Sequence, residues 1–436
     1  MQSDLPKALH RVANRPMVSL LLDELSVLSS ERNVVVVAPG TTQLFEAVAP
    51  VETVVQTDAL GTGHAVLAAR TQMEDFTGDV LVLFGDTPLL TAETMQTMLN
   101  ARRRIDDPAV VVLGFRPDDP AQYGRLVTAP DGGLEAIVEF KDASDAQCEI
   151  QLCNAGIMVI DGNHLFSLLD AVTNENANGE YYLTDIVALA RKRGLSCAVV
   201  EATDPVEVMG VNNRAELAEA EAAMQLRLRD RAMAGGVTMT DPETVWLSAD
   251  TRIGRDVTIG PNVFFGTGVT IADNVEIRAF CHIDQAEVAS GATIGPFARL
   301  RPGVKLERDV HVGNFVEIKQ AIIEEGAKVN HLSYIGDARI GPRANIGAGT
   351  ITCNYDGFFK DLTDIGANAF VGSNTSLVAP VKIGDGATVG AGSVITSDVE
   401  ADALAVARSR QKSIAGWAKA FRKKRGAEKD VAKKKQ

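Results

Sequence analysis

The sequence predicts an α/β domain with a Rossmann-like, mostly parallel sheet, followed by a parallel β-helix of six-residue turns. Two observations carry this. In residues 1–211 short apolar runs alternate with helical stretches, the pattern of strands and helices in a sheet covered on both faces. From Ile253 an aliphatic residue or Phe recurs every six positions, a period that fits neither an amphipathic helix nor a heptad.

In the first part, strands are expected at 33–38, 52–56, 80–84, 109–115 and 158–160, and helices at 17–30, 62–73, 91–104 and 183–193. Residues 120–141 read as a hairpin with its turn at Asp131-Gly132-Gly133, which makes the sheet mixed. In such sheets the ligand crevice lies at the carboxyl ends of strands. Residues 213–234 carry Leu217, Ala220, Met224 and Leu228 at helical spacing and stop at Gly235-Gly236, as a linker helix does. The domain boundary is placed there, near residue 230.

In the second part, the sixfold run is Ile253, Ile259, Phe265, Ile271, Ile277 and Ile283. It slips by one residue at Val288 and resumes as Ile294, Leu300, Leu306, Val312 and Ile318. A third run follows at Ile365, Val371, Leu377, Ile383, Val389 and Ile395. Small or β-branched residues stand four positions after several of these, at Val257, Val263, Val269, Val275 and Cys281. The aliphatic side chains are expected to fill a prism, with Gly or Asn at strained corners. A single coil cannot bury its own face, so coils must stack. Residues 353–364 interrupt the rhythm and should leave the prism as an exposed loop, the kind of place where function sits on a rigid scaffold.

Composition narrows the classes. Apolar residues make up 46% and charged residues 23%, ordinary for a globular protein. No run approaches the length of a membrane helix, and the N-terminus has no apolar signal core, so a cytoplasmic chain without membrane partners is expected. Five scattered cysteines without a CxxC pair argue against zinc or a disulfide framework. The net charge is −14, yet residues 417–436 hold nine Lys/Arg against two Asp/Glu, so the rest carries −21. An acidic body argues against nucleic acid as a partner, and the basic tail is expected to be solvated and partly disordered.

Each motif of the first part is weak alone. Phe84-Gly85-Asp86 closes a strand, where a carboxylate could hold Mg²⁺ against a phosphate or merely cap a turn. Leu60-Gly61-Thr62-Gly63-His64-Ala65 enters a helix whose N–H groups could face a phosphate or base. Asn212 could be a metal ligand or an N-cap. In the second part His331 is the best general base, since imidazole titrates near neutrality. Glu317 could orient it, and Arg301 and Lys319 could clamp a phosphate.

Taken in order, Ser3-Asp4-Leu5-Pro6-Lys7, Gln56 with Leu60–Ala65, Phe84-Gly85-Asp86, Tyr123-Gly124-Arg125, Ile137–Asp142, Asn154-Ala155-Gly156, Glu180–Asp185 and Gly210–Arg214 resemble the bacterial bifunctional N-acetylglucosamine-1-phosphate uridyltransferase/glucosamine-1-phosphate acetyltransferase family. The likeness continues through the repeats. It implies an α/β nucleotidyltransferase followed by a left-handed β-helix that forms a homotrimer, with Mg²⁺ as cofactor. Acetyl would pass from acetyl-CoA to glucosamine 1-phosphate. UTP would then react with N-acetylglucosamine 1-phosphate, releasing pyrophosphate and supplying cell-wall synthesis.

The resemblance implies the following roles. Lys7 would meet the nucleotide phosphates; Gln56, Gly61 and Thr62 the uracil; Phe84 and Gly85 would line the UDP-sugar site; Asp86 and Asn212 would bind Mg²⁺; Gly124, Glu139 and Asn154 the sugar. His331 would be the base of acetyl transfer. Arg301, Lys319, Tyr334, Asn345 and Lys360 would hold the sugar phosphate, and Ala348, Asn354, Tyr355, Ser373, Ala391 and Arg408 acetyl-CoA. Ser373 would also help stabilise the oxyanion.

The implied division is an N-terminally truncated uridyltransferase domain at 1–211, a linker helix at 212–236, the β-helix at 237–410 and a basic tail at 411–436. The family places a strand and a Gly-x-Gly-Thr-Arg loop before Ser-Asp-Leu-Pro-Lys, whereas this sequence starts at Met1-Gln2-Ser3-Asp4. The chain as it stands is therefore expected to be weak in uridylyl transfer, and an acetyltransferase with an inactive first domain is the alternative. A non-catalytic scaffold would lack His331, Lys319 and Asn354-Tyr355, all of which are present.

Overall fold

The computed structural model describes residues 1–73, 75–120, 122–130 and 132–433. Asp131 of the expected turn and residues 434–436 of the tail lie outside them. The chain divides into two compact units. One comprises Met1–Gly236, Asp241–Thr251 and Phe265–Thr267, the other Val237–Thr240, Arg252–Phe264 and Gly268–Gln436.

The first unit is built on a six-stranded sheet. Cys197–Glu201 runs parallel to Val110–Phe115. The long strand Cys153–Asp161 runs antiparallel to Val110–Phe115, Asp79–Val82 and Arg125, so the antiparallel share exceeds what alternation of strands and helices implies. Arg125–Thr128 and Leu134–Val138 form the hairpin. Val34–Val37 and Glu52–Val55 make a separate parallel pair.

Val110–Phe115 shows why the sheet needs two covers. Val110 and Val112 pack with Leu165, Leu168, Ile186 and Val187 of helices Gly162–Leu169 and Asp185–Lys192. Val111, Leu113 and Phe115 pack with Met95 and Met98 of helix Ala92–Arg102 on the other face. Successive side chains of a strand point to opposite faces, so an all-apolar strand demands both layers. Helix Arg214–Ala234 begins at Asn213, whose side chain accepts from the N–H groups of Ala215 and Glu216.

The second unit is a parallel β-helix. A ten-strand ladder climbs from Thr238–Met239 to Leu404–Ala405. Thr258 pairs with Glu276, and Glu276 with Thr293, so the slip at Val288 shortens one coil by a residue. Ile259, Ile271, Ile277, Ile294, Leu300, Ile318, Val371 and Ile383 are buried, as are Val257, Val263 and Val275. Each such side chain contributes about 2 kcal/mol by area. A two-residue strand offers few hydrogen bonds, worth about 1 kcal/mol each, so the apolar column carries the larger share.

The corners differ from expectation. Asn262, Asn274, Asn368 and Asn374 have positive φ, but so do Phe280, Phe297, Phe315 and Leu332, although bulky residues rarely take that conformation. The three phenylalanines stack, Phe280 on Phe297 at 4.8 Å and Phe297 on Phe315 at 5.1 Å between centroids. The stack supplies contacts that offset the backbone cost. Of the glycines that follow the aliphatic positions, Gly295 has φ +92°, whereas Gly254, Gly260 and Gly384 lack the positive φ of a corner. A Cβ on Gly260 would lie 2.7 Å from the Ala279 nitrogen, so these glycines let the next coil approach. The loop after Cys353 does leave the prism, with Tyr355 bridged to Lys360 and Phe358 and Phe359 exposed. Within the tail, Trp417–Lys433 is a helix, exposed as far as Ala432 and rich in Ala, Lys and Arg, which favour helix.

Candidate functional site

In the first unit, the backbone N–H of Val211 donates to the Asp86 carbonyl at 2.9 Å, holding the turn after strand Asp79–Val82 against the segment before helix Arg214–Ala234. Asn213 takes the N-cap, which leaves the Asn212 side chain free to face Asp86. Lys7, on the short helix Lys7–Leu9, places its Nζ against Asp86 Oδ2 and 3.0 Å from Asn212 Oδ1. A carboxylate and an amide carbonyl are the hard oxygen donors that Mg²⁺ takes, and the ammonium between them marks the spot as one that favours a cation.

Gln56 Nε2 donates to the Gly61 carbonyl at 3.2 Å and lies 3.1 Å from His64 Nδ1. Gly61 has φ +112°, and a Cβ there would meet the Tyr181 carbonyl oxygen at 2.7 Å, so only glycine suits the position. The Thr62 hydroxyl accepts from the Leu183 N–H at 3.0 Å. Gly124, Glu139 and Asn154 converge. The Asn154 N–H donates to the Gly124 carbonyl at 2.8 Å, and the Thr184 hydroxyl donates to Glu139 Oε1 at 3.2 Å. Burial pushes the Glu139 carboxyl above its ordinary value of 4.5, and Asp185 and Asp142 add to the rise. Phe84 lies against Gly156, and Gly85 adjoins Asp86 and faces Ala8.

In the second unit, Glu317 pairs in register with Tyr334, and Lys319 with Gly336. Arg301 donates to Glu317 Oε1 at 2.8 Å. Lys319 lies 3.5 Å from Asp337 Oδ2, and Asn354 Nδ2 also donates to that oxygen. The Tyr334 ring lies over Gly336. The neighbouring Lys319 and Lys360 amines interact, which pushes Lys319 up and Lys360 down from their ordinary value. Three cations thus gather on one face with Tyr334, Asn354 and, through its bridge to Lys360, Tyr355.

His331 stands around the corner from this face, because Leu332 turns the chain with φ +51°. Asn345 lies on the same sheet, one coil on, beside Lys328. Glu317, expected to orient the imidazole, is instead engaged by Arg301. The partner is Asn314, whose Oδ1 is 2.7 Å from His331 Nδ1. Sequence reading missed it, although Asn314 and His331 occupy equivalent places in successive coils. An amide oxygen only accepts, so Nδ1 carries the proton and Nε2 keeps a free lone pair.

Beneath His331 a file of residues runs along one edge. The Gly349 N–H donates to the His331 carbonyl at 3.1 Å, Asn374 N–H to Ala348 at 2.7 Å, and Gly392 N–H to Ser373 at 2.8 Å. Ala391 precedes Gly392, over which the Arg408 stem lies. One chain therefore separates a cationic face from an edge headed by an imidazole. A groove of about 410 Å³ lies between the corner residues Phe297, Phe315 and Leu332 and the outward row Arg299, Glu317, Tyr334 and Ile351.

Comparison with known proteins agrees with both halves. A MobA-like NTP transferase domain matches residues 1–147, and the bacterial transferase hexapeptide repeat matches 250–285 and 363–397. The chain is 60% identical to the bifunctional protein GlmU of Paramagnetospirillum magneticum, over 98% of this chain and 95% of that protein. It is 61% identical to that of Rhodospirillum rubrum, over 97% and 94%, and 51% identical to that of Zymomonas mobilis, over 98% and 95%.

Proposed function

The chain belongs to the family of bifunctional GlmU proteins, and from that premise we propose how its two units divide two consecutive transfers. It is a bifunctional enzyme of UDP-N-acetylglucosamine synthesis, with acetyltransferase and uridylyltransferase activities. The second unit acetylates glucosamine 1-phosphate from acetyl-CoA. The first joins N-acetylglucosamine 1-phosphate to UTP and releases pyrophosphate.

The observation that carries the acetyl-transfer half is the Asn314–His331 hydrogen bond. With Nδ1–H committed to Asn314, Nε2 accepts a proton from the sugar amine. The amine nitrogen attacks the thioester carbonyl, the carbon–sulfur bond breaks, and coenzyme A leaves. Arg301, Lys319 and Lys360 hold the sugar phosphate. Ala348, Ser373, Ala391 and Arg408 line the path of acetyl-CoA, Asn354 and Tyr355 close it, and Asn345 contacts the sugar. Because cationic face and imidazole edge are separated in one chain, the reading is that neighbouring chains of a homotrimer complete each site. The exposed Phe280, Phe297 and Phe315 are then covered by assembly.

In the uridylyl half the sugar phosphate oxygen attacks the α-phosphate in line, and catalysis is positioning and charge neutralisation. Gln56, Gly61 and Thr62 place the base, and Gly124, Glu139 and Asn154 the sugar, beside Phe84 and Gly85. Asp86 and Asn212 would hold Mg²⁺, which when bound neutralises phosphate charge. Lys7 binds the phosphates.

The test is a paired assay on the purified chain: acetyl-CoA with glucosamine 1-phosphate, and separately UTP with N-acetylglucosamine 1-phosphate. Release of coenzyme A in the first and pyrophosphate in the second supports the division. Silence in the first would overturn the acetyltransferase reading, and silence in the second the uridylyltransferase one.

A further inference from the structure

We propose that Lys7 is a tethered counter-ion that fills the divalent-cation site of the first unit, and that nucleotide phosphates draw it away, so that cation entry depends on nucleotide. The proposal rests on reading Asp86 and Asn212 as cation ligands.

Three observations carry it. First, the Lys7 ammonium contacts both oxygens of that ligand pair, Asp86 Oδ2 and Asn212 Oδ1. A unit positive charge and a divalent ion cannot share a space that small, because like charges in contact repel strongly away from bulk water. Second, the ligand pair does not need Lys7 to hold its shape. The Val211 N–H is fixed on the Asp86 carbonyl at 2.9 Å, the Asn212 N–H donates to Glu216 Oε2 at 2.5 Å, and Asn213 caps the helix that follows. Lys7 occupies a preformed site rather than building it. Third, the Lys7 side chain is 40% exposed while Asp86 is 21% exposed, so the ammonium can leave toward solvent on its flexible stem while the carboxylate stays.

Without nucleotide, the site's negative charge is already neutralised and a divalent cation must displace Lys7. A triphosphate offers the ammonium a more highly charged partner, and its departure uncovers the two oxygens. Coupling of this kind is reciprocal, so the cation favours nucleotide as much as nucleotide favours the cation.

The experiment measures Mn²⁺ binding to the full chain by paramagnetic resonance, with no sugar phosphate present, so nothing turns over. Lys7→Ala and Lys7→Met should bind Mn²⁺ more tightly than the parent without nucleotide, on the order of tenfold or more, and Lys7→Arg should stay close to the parent. Adding UTP should remove the advantage of Lys7→Ala. Equal or weaker Mn²⁺ binding by both Lys7→Ala and Lys7→Met would overturn the proposal. Asp86→Asn in the Lys7→Ala background should abolish the tight binding. If tight binding survives there, the cation sits elsewhere, and the ligand reading of Asp86 fails with the proposal. Thermal unfolding of each variant shows that the fold is intact, as the exposure of Lys7 leads one to expect.

Discussion

Asn314 Oδ1 and His331 Nδ1 lie 2.7 Å apart, at equivalent positions of two successive coils. The amide fixes which imidazole nitrogen carries the proton. Asn314→Ala should therefore lower kcat of acetyl transfer by about tenfold to a hundredfold, and His331→Ala by about a hundredfold or more. The double variant should be no slower than His331→Ala, since Asn314 acts through the ring. Coenzyme A release measures all three, and unchanged chemical unfolding confirms that the second unit is folded. A normal kcat in Asn314→Ala would sink the orienting role.

Asp86 faces Lys7 and Asn212 in a unit of its own. Asp86→Ala should abolish Mg²⁺-dependent pyrophosphate release and leave acetylation within about twofold, the size of an ordinary remote substitution. Parallel assays on one preparation decide it. Loss of both activities together would contradict two separate sites.

Much of this architecture was legible because its period is in the sequence. Ile259, Ile271 and Ile277 recur every six residues and are buried. The corners were less legible. Phe280, Phe297 and Phe315 break the preference for Asn or Gly, and only their mutual stacking, a contact between residues distant in sequence, accounts for them. Strand Cys153–Asp161 is longer than its apolar centre at 158–160 suggested, because Asn154 and Gly156 look like loop residues until the sugar-side geometry around Gly124 is seen. At the candidate sites, Asn314 was hidden for a related reason. The motif around it is visible, but which neighbour faces His331 follows from coil register, and Glu317, the chemically attractive candidate, pairs with Arg301 within this chain.

Glu139 gives a pH prediction. Its folded pKa is raised, chiefly by burial, so the native state holds its proton more tightly than the unfolded chain. Stability from that group is fully present below the ordinary carboxylate value and is lost as pH rises through the raised value. Glu139→Gln removes this loss. The variant should gain in Tm relative to the parent as pH rises above the ordinary carboxylate value of 4.5, the side on which the carboxylate ionises. Thermal scans across that window test the sign, and a difference that is flat or falls with pH would refute it.

Gly313 tests whether coil spacing holds the acetyltransferase residues in place. A Cβ built there would lie 1.9 Å from the Asn330 carbonyl oxygen, a backbone atom that cannot swing aside. Asn330 precedes His331, and Asn314 follows Gly313, so forcing these coils apart also pulls on the Asn314–His331 hydrogen bond. Gly313→Ala should cost about 2–4 kcal/mol of stability and lower acetyl transfer even below its melting transition. Gly357→Ala is the contrast. Nothing lies within 4 Å of that Cβ, although φ is +103°, so its cost should be about 1–2 kcal/mol, from backbone conformation alone. Its effect on acetyl transfer should be the smaller. Chemical unfolding and coenzyme A release on both variants separate the two causes. If Gly313→Ala matched the parent in both, close coil contact would not be what positions the imidazole.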